Sequence, residues 1–272
     1  MEAGVRRKKP VSYGGASKMV QIAQSGHIGV GHAADIARGG MCAWKLPADK
    51  SCASVARSLL SMTMTTLGLE RDTSDDAVLA VSELATNALT HSEAAPAPEL
   101  WVWARATPKP QLVISIFDAC RSSWPTTTAG DLLDDHGRGI GIVGMLADAW
   151  GAHPSRSICS RGVQGKAVWA AFPLPGPWPD PRTTAPPMLT ARHLATVLTA
   201  RGAANVTHRH GRNVSLVTVP LARNEETNVW LEPTHLSYSA PTGTRHRRPI
   251  VDLHDTTETL IHHLEEAQRG AR

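Results

Sequence analysis

The sequence predicts an α+β fold, a two-layer α/β sandwich followed by a small C-terminal α/β module. Between residues 41 and 172, short segments with strand-like alternation are interleaved with segments that carry helical apolar stripes. The segment 173–187 holds seven prolines in fifteen residues and is predicted to be a semi-rigid linker, because proline fixes φ and removes a hydrogen-bond donor. It divides the central domain, 41–172, from the module at 188–272. Residues 1–40 show no sustained apolar period and are predicted to be disordered.

The elements of the central domain follow from local signals. Gly68 is placed to end the first helix, and Asp75 and Asp76 favour the start of the second because acids complement the helix dipole. Two alternating segments flank a TPKP turn and are predicted to form a hairpin. In order, we predict a strand at 42–48, helices at 50–68 and 75–91, strands at 99–106 and 111–118, an irregular loop or lid at 119–136, a helix at 140–150 and a strand at 162–172. This order gives an antiparallel or mixed sheet with helices on one face.

Composition excludes several classes of protein. No run of about eighteen apolar residues is present, so we expect no membrane span. The net charge of +4 lies in the tails, since residues 41–181 carry eleven Lys/Arg against fourteen acids. A mildly acidic centre argues against direct binding of nucleic acid. The four cysteines are scattered and predict free thiols in a reducing compartment, with the cytoplasm as the expected location.

The second helix carries two polar side chains on one face. Glu83 and Asn87 lie four residues apart, so they share a face that points away from the apolar stripe. A solvated polar surface explains this pattern as well as a site does. As a site, the carboxylate can deprotonate an attacking group and the amide oxygen can ligate a hard cation such as Mg²⁺. The stripe on the opposite side consists of Ala77, Val81, Leu84, Ala85 and Ala88.

Two further features have both structural and functional interpretations. Asp118 ends a predicted strand, where it is either a turn residue or a hydrogen-bond acceptor for an exocyclic amine such as that of adenine. The segment HGRGIGIVGM contains G-x-G-x-x-G, but no strand directly precedes it, so the dinucleotide fingerprint is rejected. Its glycines either shape a loop only or allow backbone amides to approach phosphates at a helix N-terminus.

The order and spacing of these motifs resemble the GHKL ATPase superfamily, which has the Bergerat ATP-binding fold. Within it, the similarity is greatest to the anti-sigma-factor serine/threonine kinase branch. AVSELATNALTHS resembles the N box of that branch, ISIFDACRSSWP the first glycine-box region, and HGRGIGIVGMLADAWG the second, with GKAVW on the strand that follows. The resemblance covers about 43–172.

The resemblance implies a site for ATP and Mg²⁺. Asn87 would ligate the metal, Glu83 would be the general base, and Asp118 would bind the adenine amino group. Residues 119–136 would form the ATP lid. The nucleotide-binding set would be completed by Arg138, Gly139, Gly141 and Lys166.

The sequence departs from the family pattern at two points. Ala119, Cys120 and Arg121 follow Asp118, where many members have glycines, and Ala167 stands where a hydroxyl residue is common. These departures predict reduced adenine affinity and leave turnover open.

The resemblance also implies a function. The expected activity is phosphorylation of a serine on an antagonist protein, sequestration of a sigma factor, or both, with a homodimer as a possible assembly. The alternative is a non-catalytic, nucleotide-dependent protein-binding module. A gyrase-like or MutL-like hydrolase is disfavoured because a transducer domain is not apparent, and a histidine kinase because a phospho-acceptor helix before the N box is not apparent. The C-terminal module has no recognised family, and the spacing of its histidines fits no metal template.

Overall fold

The computed structural model describes residues 29–69, 71–90, 96–125, 138–176, 178–222 and 225–270. Its first layer is a six-stranded sheet in the order β1-β2-β3-β4-β6-β5, in which every pair of neighbours is antiparallel. The strands are β1 (Gly29–Val30), β2 (Met41–Lys45), β3 (Glu99–Arg105), β4 (Gln111–Asp118), β5 (Ala149–Arg156) and β6 (Gln164–Pro173).

Helices cover one face of this sheet. They are α1 (Ala33–Ile36), α2 (Cys52–Leu67), α3 (Arg71–Thr90) and α4 (Arg138–Leu146). Leu59 of α2 and Leu84 of α3 pack with Ile114 of β4 in one buried apolar cluster. Gly68 ends α2 with φ of 68°, a left-handed conformation that glycine adopts without strain. The predicted α/β sandwich is therefore confirmed.

The C-terminal module is a second antiparallel sheet with two helices. Its five strands follow the order β11-β10-β9-β8-β7. Helix α6 contacts β8 of this sheet and also β3 and β5 of the first sheet, so it lies between the two sheets. The elements are α5 (Pro187–Ala200), β7 (Thr207–His210), β8 (Ser215–Ala222), β9 (Glu225–Leu231), β10 (His235–Ser239), β11 (Arg245–Pro249), a 3-10 turn (Ile250–Asp252) and α6 (Leu253–Gly270).

The second face of the first sheet is an apolar surface that the C-terminal module covers. Trp101, Trp103 and Phe117 are all buried there. The Trp103 indole donates a hydrogen bond of 3.3 Å to Asp255 of α6, and the guanidinium of Arg201, just after α5, lies 5.1 Å from the Trp101 ring centre. The C-terminal module therefore packs directly against this face of the first sheet.

Buried polar contacts join the same two parts. Arg156 of β5 forms an ion pair with Glu265 of α6, and the hydroxyl of Ser155 in β5 donates a hydrogen bond of 3.0 Å to Glu258 of α6. The carboxylate of Asp252 accepts a 2.6 Å hydrogen bond from the amide of Ala106, which follows β3. The C-terminal module therefore packs against the central domain across the predicted linker.

Other boundaries also differ from the prediction. Residues 29–40, predicted to be disordered, include β1 and α1, and Ile36 is fully buried in the core beneath the sheet. The helix predicted at 140–150 ends at Leu146, and β5 follows it. Within the linker, Pro173 is the last residue of β6, and Leu174 packs into the core. Residues 1–28 and Pro177 lie outside the described residues.

Buried histidines in the C-terminal module predict a loss of stability in acid. Burial lowers the pKa of His254 to about 4, against an ordinary value of 6.5, while nearby Glu258 opposes the shift. The unfolded chain then binds a proton that the folded chain excludes. The free energy of unfolding should fall by about 1.4 kcal/mol per pH unit for this group between the two values, and should not depend on it above pH 6.5.

Urea unfolding from pH 7 to 4 measures this dependence. In His254→Gln, the free energy of unfolding should depend less steeply on pH, because this variant no longer takes up a proton at position 254 when it unfolds. His208→Gln makes the same change on an exposed strand and serves as the control for the substitution itself. An identical slope in His254→Gln and wild type would show that His254 is not the titrating group.

Candidate functional site

Glu83 and Asn87 on α3 face the first turn of α4. A Cβ placed on Gly139 would lie 2.9 Å from Oε2 of Glu83 and 3.2 Å from Nδ2 of Asn87. Both side chains are half-buried, and Gly139 is buried. A side chain at 139 would therefore displace the ends of these two polar side chains. Two motifs that are about fifty residues apart in the sequence meet at this point.

Two residues hold the carboxylate of Asp118 at the end of β4. They are Lys166 of the neighbouring strand β6 and Cys120 of the turn that follows Asp118. Lys166, its partner across the β4–β6 pair, donates a hydrogen bond to Asp118 and another, of 2.6 Å, to the carbonyl of Cys120. The Cys120 amide donates to Asp118 at 2.5 Å. Asp118 and Lys166 are both buried, so the pair is a fixed acceptor beside a fixed donor.

Strand alternation places this pair on the helix-covered face of the sheet. Ile116 and Val168, each two residues away along its strand, belong to the core between the sheet and the helices. Ala167 belongs to the apolar cluster on the opposite face. Lys166 is therefore the neighbour of Asp118 on this face, and Ala167 lies on the opposite face. The reduced adenine affinity expected from Ala167 stays a prediction.

Gly165 permits this arrangement. A Cβ at that position would lie 2.2 Å from the carbonyl oxygen of Asp118 and 2.6 Å from the Phe117 ring. Any side chain would push β6 away from β4 at the level of the Asp118–Lys166 pair. The sequence analysis did not single out this glycine, although the motif GKAVW contains it.

The remaining predicted residues lie around α4. Arg138 is the first residue of that helix, and Gly141 lies in its first turn on the exposed side. A Cβ on Gly141 would meet no atom within 4 Å. Of the predicted lid at 119–136, residues 119–125 form irregular backbone, and 126–136 lie outside the described residues.

The sequence of the first domain matches the model of a known protein family. The family model of the histidine kinase-like ATPase domain matches residues 46–171. Residues 46–171 form a histidine kinase-like ATPase domain. No curated protein gives a significant match to the chain.

The predicted GHKL-type fold is thereby confirmed. The ATPase domain contains all seven residues predicted for its site, from Glu83 to Lys166. Residues 29–45 and the C-terminal module lie outside the matched range, so the family match leaves their role open. Among the helices within the described ranges, none has the length and apolar character needed to cross a bilayer.

The ATPase domain offers suitable groups for a nucleotide and a hard cation. The amide oxygen of Asn87 is of the ligand type that Mg²⁺ accepts, and Mg²⁺ usually keeps several waters, so one or two protein ligands suffice. The N-terminal amides of α4 favour phosphate oxygens. Among the described residues, Glu83 forms no ion pair.

Replacing Gly139 should disturb the two motif side chains directly. In Gly139→Ala, the new methyl group would displace the ends of Glu83 and Asn87, and we expect Mg·ATP affinity to fall by about tenfold, the equivalent of about 1.4 kcal/mol. Gly270→Ala, which also adds a methyl group to a helix and meets no atom within 4 Å, is the matched control. Equal affinities of Gly139→Ala and the control in calorimetric titrations would contradict this geometry.

Cys120 should be the most reactive of the four thiols. A hydrogen bond with Ser122 lowers the pKa of Cys120, whereas burial raises the pKa of Cys42 to about 12 and that of Cys52 to about 11. Because the thiolate is the reactive form, alkylation followed by mass spectrometry should label Cys120 first. Cys159, whose pKa burial also raises, should react slowly. Faster labelling of any other cysteine would contradict this assignment.

Proposed function

We propose that the chain is an ATP-binding regulator that resembles anti-sigma-factor serine/threonine kinases. It would phosphorylate a serine on an antagonist protein, sequester a sigma factor, or both. The observation that carries the proposal is the meeting of Glu83, Asn87 and Gly139 at the start of α4. This arrangement joins a candidate base, a candidate metal ligand and a candidate phosphate cradle at one place.

The Asp118–Lys166 pair supports adenine as the base. Adenine presents an amine donor next to ring-nitrogen acceptors. The carboxylate of Asp118 can accept from the amine, and the ammonium of Lys166 can donate to a ring nitrogen. The hydrogen bonds from Lys166 and Cys120 fix the orientation of this carboxylate.

The phosphates would lie between α3 and α4. The amides at the start of α4 would hold phosphate oxygens, and Asn87 would hold the metal. When bound, Mg²⁺ would neutralise charge on the transferring phosphoryl group. Glu83, one turn before Asn87 on α3, would take the proton from the serine hydroxyl that attacks the terminal phosphate.

The alternative is a non-catalytic module that binds a protein in a nucleotide-dependent manner. The replacement of glycines after Asp118 by Ala119, Cys120 and Arg121 favours this alternative, since that turn is tied down by hydrogen bonds and an ion pair. Both functions need ATP, and they differ in whether phosphate is transferred. The free thiols are in keeping with a reducing compartment, and we propose the cytoplasm.

An affinity capture with and without Mg·ATP tests the proposal. The full chain is immobilised, proteins retained only with Mg·ATP are identified, and each is purified and incubated with the chain and labelled ATP. We expect a sigma factor or a small antagonist, and phosphoserine on the antagonist. Nucleotide-dependent capture without phosphate transfer would favour the non-catalytic alternative. Capture unaffected by nucleotide would contradict both.

A further inference from the structure

The turn after Asp118 connects the proposed nucleotide site to the C-terminal module. Cys120 contacts the proposed nucleotide site, since its amide donates a hydrogen bond to Asp118 and its carbonyl accepts one from Lys166. Arg121, the next residue, contacts strands β5 and β6 and helix α6 of the C-terminal module. Its guanidinium donates to the carbonyls of Gly165 at 3.1 Å and Ser155 at 3.3 Å, and it forms an ion pair with Glu265 of α6.

Glu265 of α6 is itself held in a fixed position, and through Arg121 it holds this turn. Its side chain is only 2% exposed, and its two oxygens are divided between two arginines, with Oε2 on Arg121 and Oε1 on Arg156. Gln164 adds a hydrogen bond of 3.2 Å. Arg156 is held in turn by the carbonyl of Gly202 at 2.6 Å. A buried carboxylate with this many donors is fixed in place, because any movement leaves charge unpaired in a medium of low polarity.

We propose that Arg121 is a positioning residue for nucleotide binding and that Glu265 positions it from the C-terminal module. This inference rests on the proposed ATP site. Arg121 does not reach the nucleotide; it fixes the turn whose amide and carbonyl hold Asp118 and Lys166. Affinity for ATP therefore depends on the docking of α6, and nucleotide binding strengthens that docking to the same extent, because coupling between two sites is reciprocal.

The test is Glu265→Gln in the full chain, titrated with Mg·ATP at a temperature well below unfolding. We expect affinity to fall by about tenfold, within the usual range of coupling between sites. Glu258→Gln is the matched control. Glu258 lies on the same helix, is buried to a similar extent, and pairs with Arg201. Among the described residues its other polar contacts go to Ser155, His153 and His254, and not to the turn after Asp118. Its thermal midpoint should fall while its ATP affinity stays at the wild-type value.

The rate of Cys120 alkylation is a second readout that a purely structural role would not change. It should rise in Glu265→Gln, where the turn is released, and stay constant in Glu258→Gln. If Glu265→Gln does not fold, Arg121→Gln replaces it, since Arg121 is partly exposed and its loss leaves Glu265 paired with Arg156. Wild-type affinity in the variant that folds would overturn the positioning role. Absence of ATP binding by wild type would overturn the proposed site itself, and this inference with it.

Discussion

A fragment that ends at Asp180 will aggregate or fail to fold, because the first sheet loses the layer that covers its second face. Trp101, Trp103 and Phe117 are buried on that face, and each aromatic side chain buries about 150–250 Å². Exposed together, they form a patch as large as the largest that monomeric proteins tolerate. Residues 188–272 are thus predicted to be needed for the folding of the first sheet.

The experiment compares residues 29–180 with the full chain. Solubility, circular dichroism and the cooperativity of thermal unfolding are measured for both. Co-expression of residues 181–272 as a separate polypeptide is the control and should restore a soluble, ATP-binding complex. A soluble fragment that unfolds cooperatively and binds Mg·ATP as tightly as the full chain would show that the C-terminal module is a separate domain.

Glu83→Gln will reduce phosphoryl transfer by about 10²–10⁴-fold, the usual contribution of a general base. The amide has nearly the shape of the carboxylate, so the contact with Gly139 and the affinity for Mg·ATP should be retained. Thr86→Ala is the control. It removes an exposed hydroxyl of the same helix that donates a hydrogen bond to the backbone carbonyl of Ser82. The measurement is single-turnover phosphorylation of the captured antagonist. Transfer at the wild-type rate in Glu83→Gln would assign the base elsewhere.

The helix face and the strand end of the site could be predicted from local patterns. The stripe from Ala77 to Ala88 fixes which side of α3 is buried, and this leaves Glu83 and Asn87 together on the other side. Periodicity likewise places Asp118 at the end of a strand. That these groups meet a glycine turn follows from the order of motifs in a family, since no local pattern joins residue 83 to residue 139.

Two elements escaped prediction for physical reasons. Strand β5 has the sequence AWGAHPSR, which contains a proline and shows no alternation of apolar and polar residues. As the last strand of the first sheet, β5 can accommodate a proline, and one of its faces contacts α6 instead of solvent. The β1–α1 segment is short, and besides Gly29 it buries one residue, Ile36. Neither carries enough apolar residues to produce a period.

The interface with the C-terminal module also escaped prediction. Charged residues usually lie on the solvent-exposed surface, so the sequence does not indicate that four of them are buried here: Arg156, Arg201, Glu258 and Glu265. No sequence pattern links charges that pair from positions so far apart in the chain. The apolar residues gave a better indication. Trp101 and Trp103 alternate with the core residues Leu100 and Val102 along β3, so the strand is apolar on both faces. Such a strand requires cover on both sides.

The central claim, that this chain binds Mg·ATP in its histidine kinase-like ATPase domain, is tested most directly by calorimetric titration of the full chain with ATP in the presence of Mg²⁺ and in excess EDTA. We expect one ATP per chain, weaker binding without the metal, and loss of that difference in Asn87→Ala. Folded protein that takes up no ATP at millimolar concentration, with or without Mg²⁺, would contradict the account.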